Sequence, residues 1–103
     1  MSVLIEYSIF PTDKGESVSP YVSRVIDLIR NSGYPYKFTA MGTVVETSTI
    51  REALELVAKS YDVLEPDSNR VYASIKLDIR KGKDNRLEGK IKSVEEKIGK
   101  VNT

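Results

Sequence analysis

Between Arg70 and Arg80 the chain alternates without a break. Val71, Ala73, Ile75, Leu77 and Ile79 fall on one side, and Tyr72, Ser74, Lys76, Asp78 and Arg80 on the other. Successive side chains of an extended chain point to opposite faces, so this spacing predicts a strand with one apolar and one polar face. The N-terminal stretch obeys the same rule, with Val3, Ile5, Tyr7 and Ile9 set against Leu4, Glu6, Ser8 and Phe10. Two long half-apolar strands restrict the choice of fold. They predict a sheet covered by helices on one side only, because a sheet sandwiched between helices would read as continuously apolar.

The segments between these strands complete the pattern. Pro11 to Ser17 reads as a loop, with Asp13, Lys14 and Gly15 as turn residues. Ser19 followed by Pro20 predicts a helix start, with serine as cap and proline at the first helical position. Val22, Val25, Ile26 and Ile29 then recur at helical spacing, and Gly33 is expected as a left-handed cap. Thr49 with Glu52 predicts a capping box. The helix behind it should turn Ile50, Ala53, Leu54, Val57, Ala58, Tyr61 and Leu64 inward. After the turn Lys81-Gly82-Lys83-Asp84, the apolar residues Leu87, Ile91, Val94, Ile98 and Val101 form a narrow helical stripe. That stripe suits packing on this domain or on a neighbouring chain. The element order βαββαβ is the split βαβ of a ferredoxin-like sandwich, an α+β fold with an antiparallel four-stranded sheet and here an extra C-terminal helix. A single domain over residues 1–103 is expected.

The central stretch from Tyr34 to Glu46 carries the candidate binding chemistry. It reads as a bent hairpin, or as one long strand broken at Gly42. A glycine lets backbone come close to a ligand. Tyr36, Phe38, Thr43 and Glu46 offer two aromatic faces, a hydroxyl and a carboxylate, a mixture suited to a small polar heteroaromatic ligand. The plainer alternative is a strand pair with no ligand. Register is open, since a one-residue slip exchanges faces. Either Thr43 or Glu46 then points away, unless Gly42 hosts a bulge. Ser17 and Ser19, with the amides behind them, are candidates for holding a ligand oxygen at a helix N-terminus, against the alternative of ordinary capping.

Composition excludes several function classes. The chain has no cysteine and no histidine, so thiolate nucleophiles, the commonest general base and the usual zinc ligands are missing. Sixteen basic residues against 15 acidic ones give a net charge of +1, which is no electrostatic footprint for nucleic acid. No apolar run approaches the length of a membrane span, and Glu6 interrupts the N-terminal one, so no membrane partner and a cytoplasmic location are expected. A metal site from Glu6, Glu46 and Asp78 would require the three to converge. No paired carboxylates or phosphate-cradling loop are evident from spacing, so no enzyme is expected. A polar sheet face carrying Phe10 and Tyr72 beside Lys76 and Asp78 predicts self-association, as a dimer through the sheets or a dimer of dimers. A structural or regulatory assembly module without a small ligand is the alternative function.

The sequence also resembles a known family. Ser17-Val18-Ser19 with Tyr21-Val22, then Ser32-Gly33, Met41-Gly42-Thr43 with Glu46, Arg70-Val71, Ile75 to Arg80 and Ser93 to Lys97 are similar, in order and spacing, to the small thiamine-binding protein family. That family is related to the YkoF-like proteins that bind thiamine or its hydroxymethylpyrimidine half. Ala40, where many members have proline, and Pro20 are the departures. The resemblance implies a ferredoxin-like fold, a homotetramer in several members, no catalysis and no cofactor, with thiamine or hydroxymethylpyrimidine as ligand. On that footing Tyr36 or Phe38 would stack on the aminopyrimidine and Glu46 would meet its amine or ring nitrogen. Thr43 would orient the ligand, and Ser17 and Ser19 would reach its edge or its hydroxyethyl tail.

Overall fold

The computed structural model describes residues 1–103. The elements are β1 (Ser2–Pro11), α1 (Ser19–Arg30), β2 (Tyr36–Thr39), β3 (Gly42–Thr47), α2 (Ile50–Leu64), β4 (Val71–Arg80) and α3 (Arg86–Ile98), with one 3-10 turn at Glu65–Asp67. All neighbouring strands are antiparallel, in the order β2-β3-β1-β4. This is the ferredoxin-like α+β sandwich with an added C-terminal helix.

The apolar row of β1 forms the centre of the core. Val3, Ile5, Tyr7 and Ile9 are buried against Val25 and Ile29 of α1 and Ala53, Leu56 and Leu64 of α2, with Val45 of β3 beside them. Burying such side chains stabilises the fold by roughly 1.5–3 kcal/mol each, which makes this row the main apolar contribution. Tyr7 brings a hydroxyl into that core, and Ser60 Oγ meets it at 2.8 Å while also donating to the Leu56 carbonyl at 2.8 Å.

Several expectations are corrected. Helix α1 is not capped by Ser19. Val18 takes the cap position without a side-chain bond, and Ser19 and Pro20 both lie in the first turn. Gly33 has φ of +87°, but α1 already ends at Arg30, and its cap residue Asn31 has ordinary backbone. The capping box of Thr49 and Glu52 is present. The buried stripe of α2 is rotated from the predicted one: Ala53, Leu56, Ser60 and Leu64 are inside, while Leu54 and Tyr61 are exposed. Ser60 is drawn in because Tyr7 supplies a buried hydrogen-bond partner, which a hydropathy pattern does not register.

The stretch from Tyr36 to Thr47 is a hairpin with a two-residue turn at Ala40 and Met41. Neither turn residue takes a positive φ. Thr39 braces the turn: its Oγ1 donates to the Gly42 carbonyl at 2.7 Å and accepts from Met41 N–H at 3.2 Å. Pairing runs unbroken from Phe38↔Thr43 to Tyr36↔Val45 and from Tyr7↔Thr43 to Val3↔Thr47, so Gly42 hosts no bulge. The pairing places Tyr36, Phe38, Thr43 and Val45 on the α1–α2 side of the sheet. Lys37, Val44 and Glu46 lie on the other side, which the N-terminal half of α3 partly covers.

Candidate functional site

A cleft of about 320 Å³ opens between α1 and the tip of the β2–β3 hairpin. It exists because β1 outruns β3. Pairing between the two stops at Tyr7↔Thr43, whereas β1 continues to Pro11. The space left beside Ser8, Ile9 and Phe10 is walled by Val18, Val22 and Ile26 of α1 and by Phe38, Met41 and Thr43 of the hairpin. None of its lining residues is charged. Phe38 is 58% exposed and Met41 88%, so two large apolar side chains stand at the mouth. A shallower cleft continues along α1 past Ser19, Ser23, Asp27 and Arg30, sharing Phe38 and Ile26 with the first. The combination is an apolar slot whose lining includes Tyr7, Phe10 and Phe38, with few polar groups inside and a polar rim. Such a slot accommodates a flat, largely neutral ring rather than an ion.

The predicted site residues divide. Phe38 and Thr43 line the cleft, and Ser19 lines its shallow extension. Ser17 is exposed and lines neither. Tyr36 shares the face of Phe38 but packs half-buried against the core. Gly42 lines the cleft and also comes close to β1: a β-carbon there would lie 3.4 Å from the Tyr7 carbonyl oxygen.

Glu46 lies on the opposite side of the sheet and is already occupied. Its Oε2 accepts from the Ser2 hydroxyl at 2.5 Å and from Arg86 N–H at 3.0 Å, and its Oε1 accepts from Leu87 N–H at 3.0 Å. It therefore acts as the N-terminal cap of α3, supplied from a strand far away in sequence. Asn85, the local cap position, has φ of +53° and makes no side-chain capping bond. Burial pushes the Glu46 carboxyl up, but the Ser2 hydroxyl, the two amides and the Arg86 guanidinium outweigh it and hold the group below the usual carboxylate range. Arg86 is 1% exposed; it donates to the Ser2 and Asp78 carbonyls at 3.0 and 2.6 Å and pairs with the Asp78 carboxylate at 2.9 Å. Lys90 reaches the same carboxylate at 2.8 Å. Hydrogen bonds from Lys90 and Arg86 hold Asp78 below its ordinary value. Glu6 pairs with Lys76 at 2.8 Å. The three carboxylates considered as a metal site are each held by protein partners, Glu46 and Asp78 both through Arg86, and form no cluster.

The residues missed in the sequence are Ile9, Val18, Val22, Ile26 and Met41. Four of them read as ordinary core or loop positions, since helical spacing does not tell a residue facing a cleft from one facing a packed strand. Met41 carried a usable signal, because a large apolar residue at a hairpin tip has no core to enter.

The chain is thus an α+β sandwich with an uncharged slot beside its β2–β3 hairpin. The sequence matches the thiamine-binding protein family over residues 5–95, and this chain belongs to that family. It is 37% identical to the UPF0045 protein MJ1052 of Methanocaldococcus jannaschii, over 91% of this chain and 93% of that one. It is 36% identical to the UPF0045 protein Mb1933 of Mycobacterium bovis, over 92% and 93%. The crystal structure of hypothetical protein MJ1052 superposes with a TM-score of 0.81, covering 92% of this chain and 97% of that one. A proposed thiamine biosynthesis/salvage protein of Thermotoga maritima gives 0.78 at 20% identity, over 91% and 99%, a likeness that speaks to the fold alone. No helix is long and apolar enough to cross a membrane.

Proposed function

We propose that this chain binds thiamine or its hydroxymethylpyrimidine precursor reversibly and without catalysis, as a cytoplasmic homo-oligomer. The observation that carries this reading is the cleft under α1, which holds Phe38 and Thr43 and no charged lining residue. Phe38 would stack on the flat aminopyrimidine, and the Thr43 hydroxyl would set its orientation. The cationic thiazolium of thiamine would stay near the rim, where Ser19, Ser23 and Asp27, the last paired with Arg30, line the shallow extension. Glu46 has no part in this version of the site.

Self-association draws its support from β4. This strand is an edge of the sheet, and every residue from Tyr72 to Arg80 is exposed. Its apolar row lies on the helix side but beyond the reach of α2, leaving Ile75 41%, Leu77 39% and Ile79 50% exposed. A long bare edge with an apolar row invites pairing. Antiparallel pairing of two copies about Leu77 would set Ile75 against Ile79 and Lys76 against Asp78, matching apolar and charged groups together. The expected interface therefore shifts from the polar face to the β4 edge.

Calorimetric titration with thiamine and, separately, hydroxymethylpyrimidine tests the binding, with light scattering for mass. Saturable binding that Phe38→Ala weakens about tenfold supports the proposal. Absence of heat with both ligands on a folded oligomer would favour the assembly module instead.

A further inference from the structure

The cleft contains a main-chain edge that no strand uses. Two hydrogen bonds fix which groups face it. Glu46 N–H donates to the Pro35 carbonyl at 3.0 Å, so the even-numbered residues of β3 turn their main-chain groups toward β2. Its odd-numbered residues, Thr43, Val45 and Thr47, then face β1, and their partners there are Tyr7, Ile5 and Val3. At the other edge Thr12 N–H donates to the Arg70 carbonyl at 2.8 Å, so the even-numbered residues of this strand face β4. Both bonds give one phase: odd residues of β1 turn their N–H and C=O toward β3. The next odd residue after Tyr7 is Ile9. Its register partner would be Met41, which is in the turn and whose N–H already bonds the Thr39 hydroxyl. The Ile9 N–H and C=O therefore point away from β4, past the end of β3, and Ile9 lines the cleft.

We infer that the main chain of Ile9, rather than any side chain, reads the edge of the bound ring. A strand residue of this phase presents a donor and an acceptor side by side. The complementary ligand edge is a ring nitrogen that accepts next to an exocyclic amine that donates. A 4-aminopyrimidine carries that pair. The Ile9 N–H donates to the ring nitrogen and the Ile9 carbonyl accepts from the amine, while Phe38 covers the ring face. Val22 and Ile26 dry the site, which strengthens both bonds. The central strand holds the pair in place before binding, so little ordering is required. This inference deepens the proposed function and rests on it: the class of ligand is an aromatic ring with adjacent acceptor and amine.

The test compares thiamine with its analogue in which the 4-amino group is replaced by a carbonyl. That change reverses both polarities at the edge and leaves size and charge nearly the same. The analogue should bind at least about 100-fold more weakly, since a site built around hydrogen bonds rejects a ligand that leaves them unpaired. On a ¹⁵N-labelled chain, thiamine should move the Ile9 amide resonance downfield and slow its hydrogen exchange. An ester in place of the Ile9 amide link, which deletes only the N–H and keeps the side chain, should weaken thiamine by about 10-fold. Equal binding of the two compounds, with the Ile9 resonance unmoved, overturns the inference and leaves the binding function standing. Failure of thiamine and hydroxymethylpyrimidine alike to bind overturns both.

Discussion

The carboxylate of Glu46, on β3, accepts the main-chain N–H of Leu87 at 3.0 Å and so caps a helix that begins 40 residues later in the chain. With Ser2 and Arg86 it forms a buried clasp that ties α3 to the face of the sheet away from α1 and α2. Glu46, one of the candidate ligand contacts, thus holds α3 in place on the face of the sheet away from the cleft.

Replacing Glu46 with glutamine should destabilise the protein by about 2 kcal/mol, because an amide cannot accept at both of its atoms and carries no charge for Arg86. Thermal unfolding measures this. Thiamine affinity of the folded variant should be unchanged, since the carboxylate is on the other face from the cleft; a parallel loss of affinity would return Glu46 to the site.

The same clasp sets an acid limit. The folded-state Glu46 and Asp78 carboxyls both lie below their ordinary values. Groups depressed in this way contribute stability that is present above the unfolded carboxylate range, about pH 4, and is lost as pH falls through the lower folded values. The unfolding temperature should fall on acidification below about pH 4, and Glu46→Gln should flatten that slope.

In the core, Ser60→Ala should cost more than Tyr7→Phe. The first leaves a buried phenol without its partner, worth about 1–3 kcal/mol. The second leaves Ser60 still bonded to the Leu56 carbonyl and should cost about 1 kcal/mol. Denaturant titration of both variants decides the order.

At the cleft, Phe38→Ala should lower thiamine affinity about tenfold, through lost stacking and apolar contact, with little change in stability because the ring is more than half exposed. Thr43→Val should lower it about threefold by removing one neutral hydrogen bond. Isothermal titration of each folded variant is the measurement.

At the sheet edge, Leu77→Glu should reduce the mass in solution to that of the monomer, by placing a charge where two apolar rows would meet. Light scattering reads this directly, and an unchanged mass would put the interface elsewhere.

The amino-acid sequence determined the alternation of β1 and β4, the capping box at Thr49 and the βαββαβ order, because each depends on neighbours only a few residues apart. It also placed Phe38 and Thr43 as candidates, from residue type alone. The tertiary structure decided how those candidates combine. A two-residue turn at Ala40 and Met41 exchanges the parity of the hairpin's two strands, which brings Thr43 to the face of Phe38 and sends Glu46 to the other. That exchange depends on turn length, which the alternating residue types left open. The Glu46 clasp and the unpaired edge at Ile9 depend on contacts between segments far apart in sequence. One requires α3 to begin under β3, and the other requires β1 to outrun its partner. Local sequence carries no record of either, because hydrogen-bond partners and strand ends are set by how the elements meet.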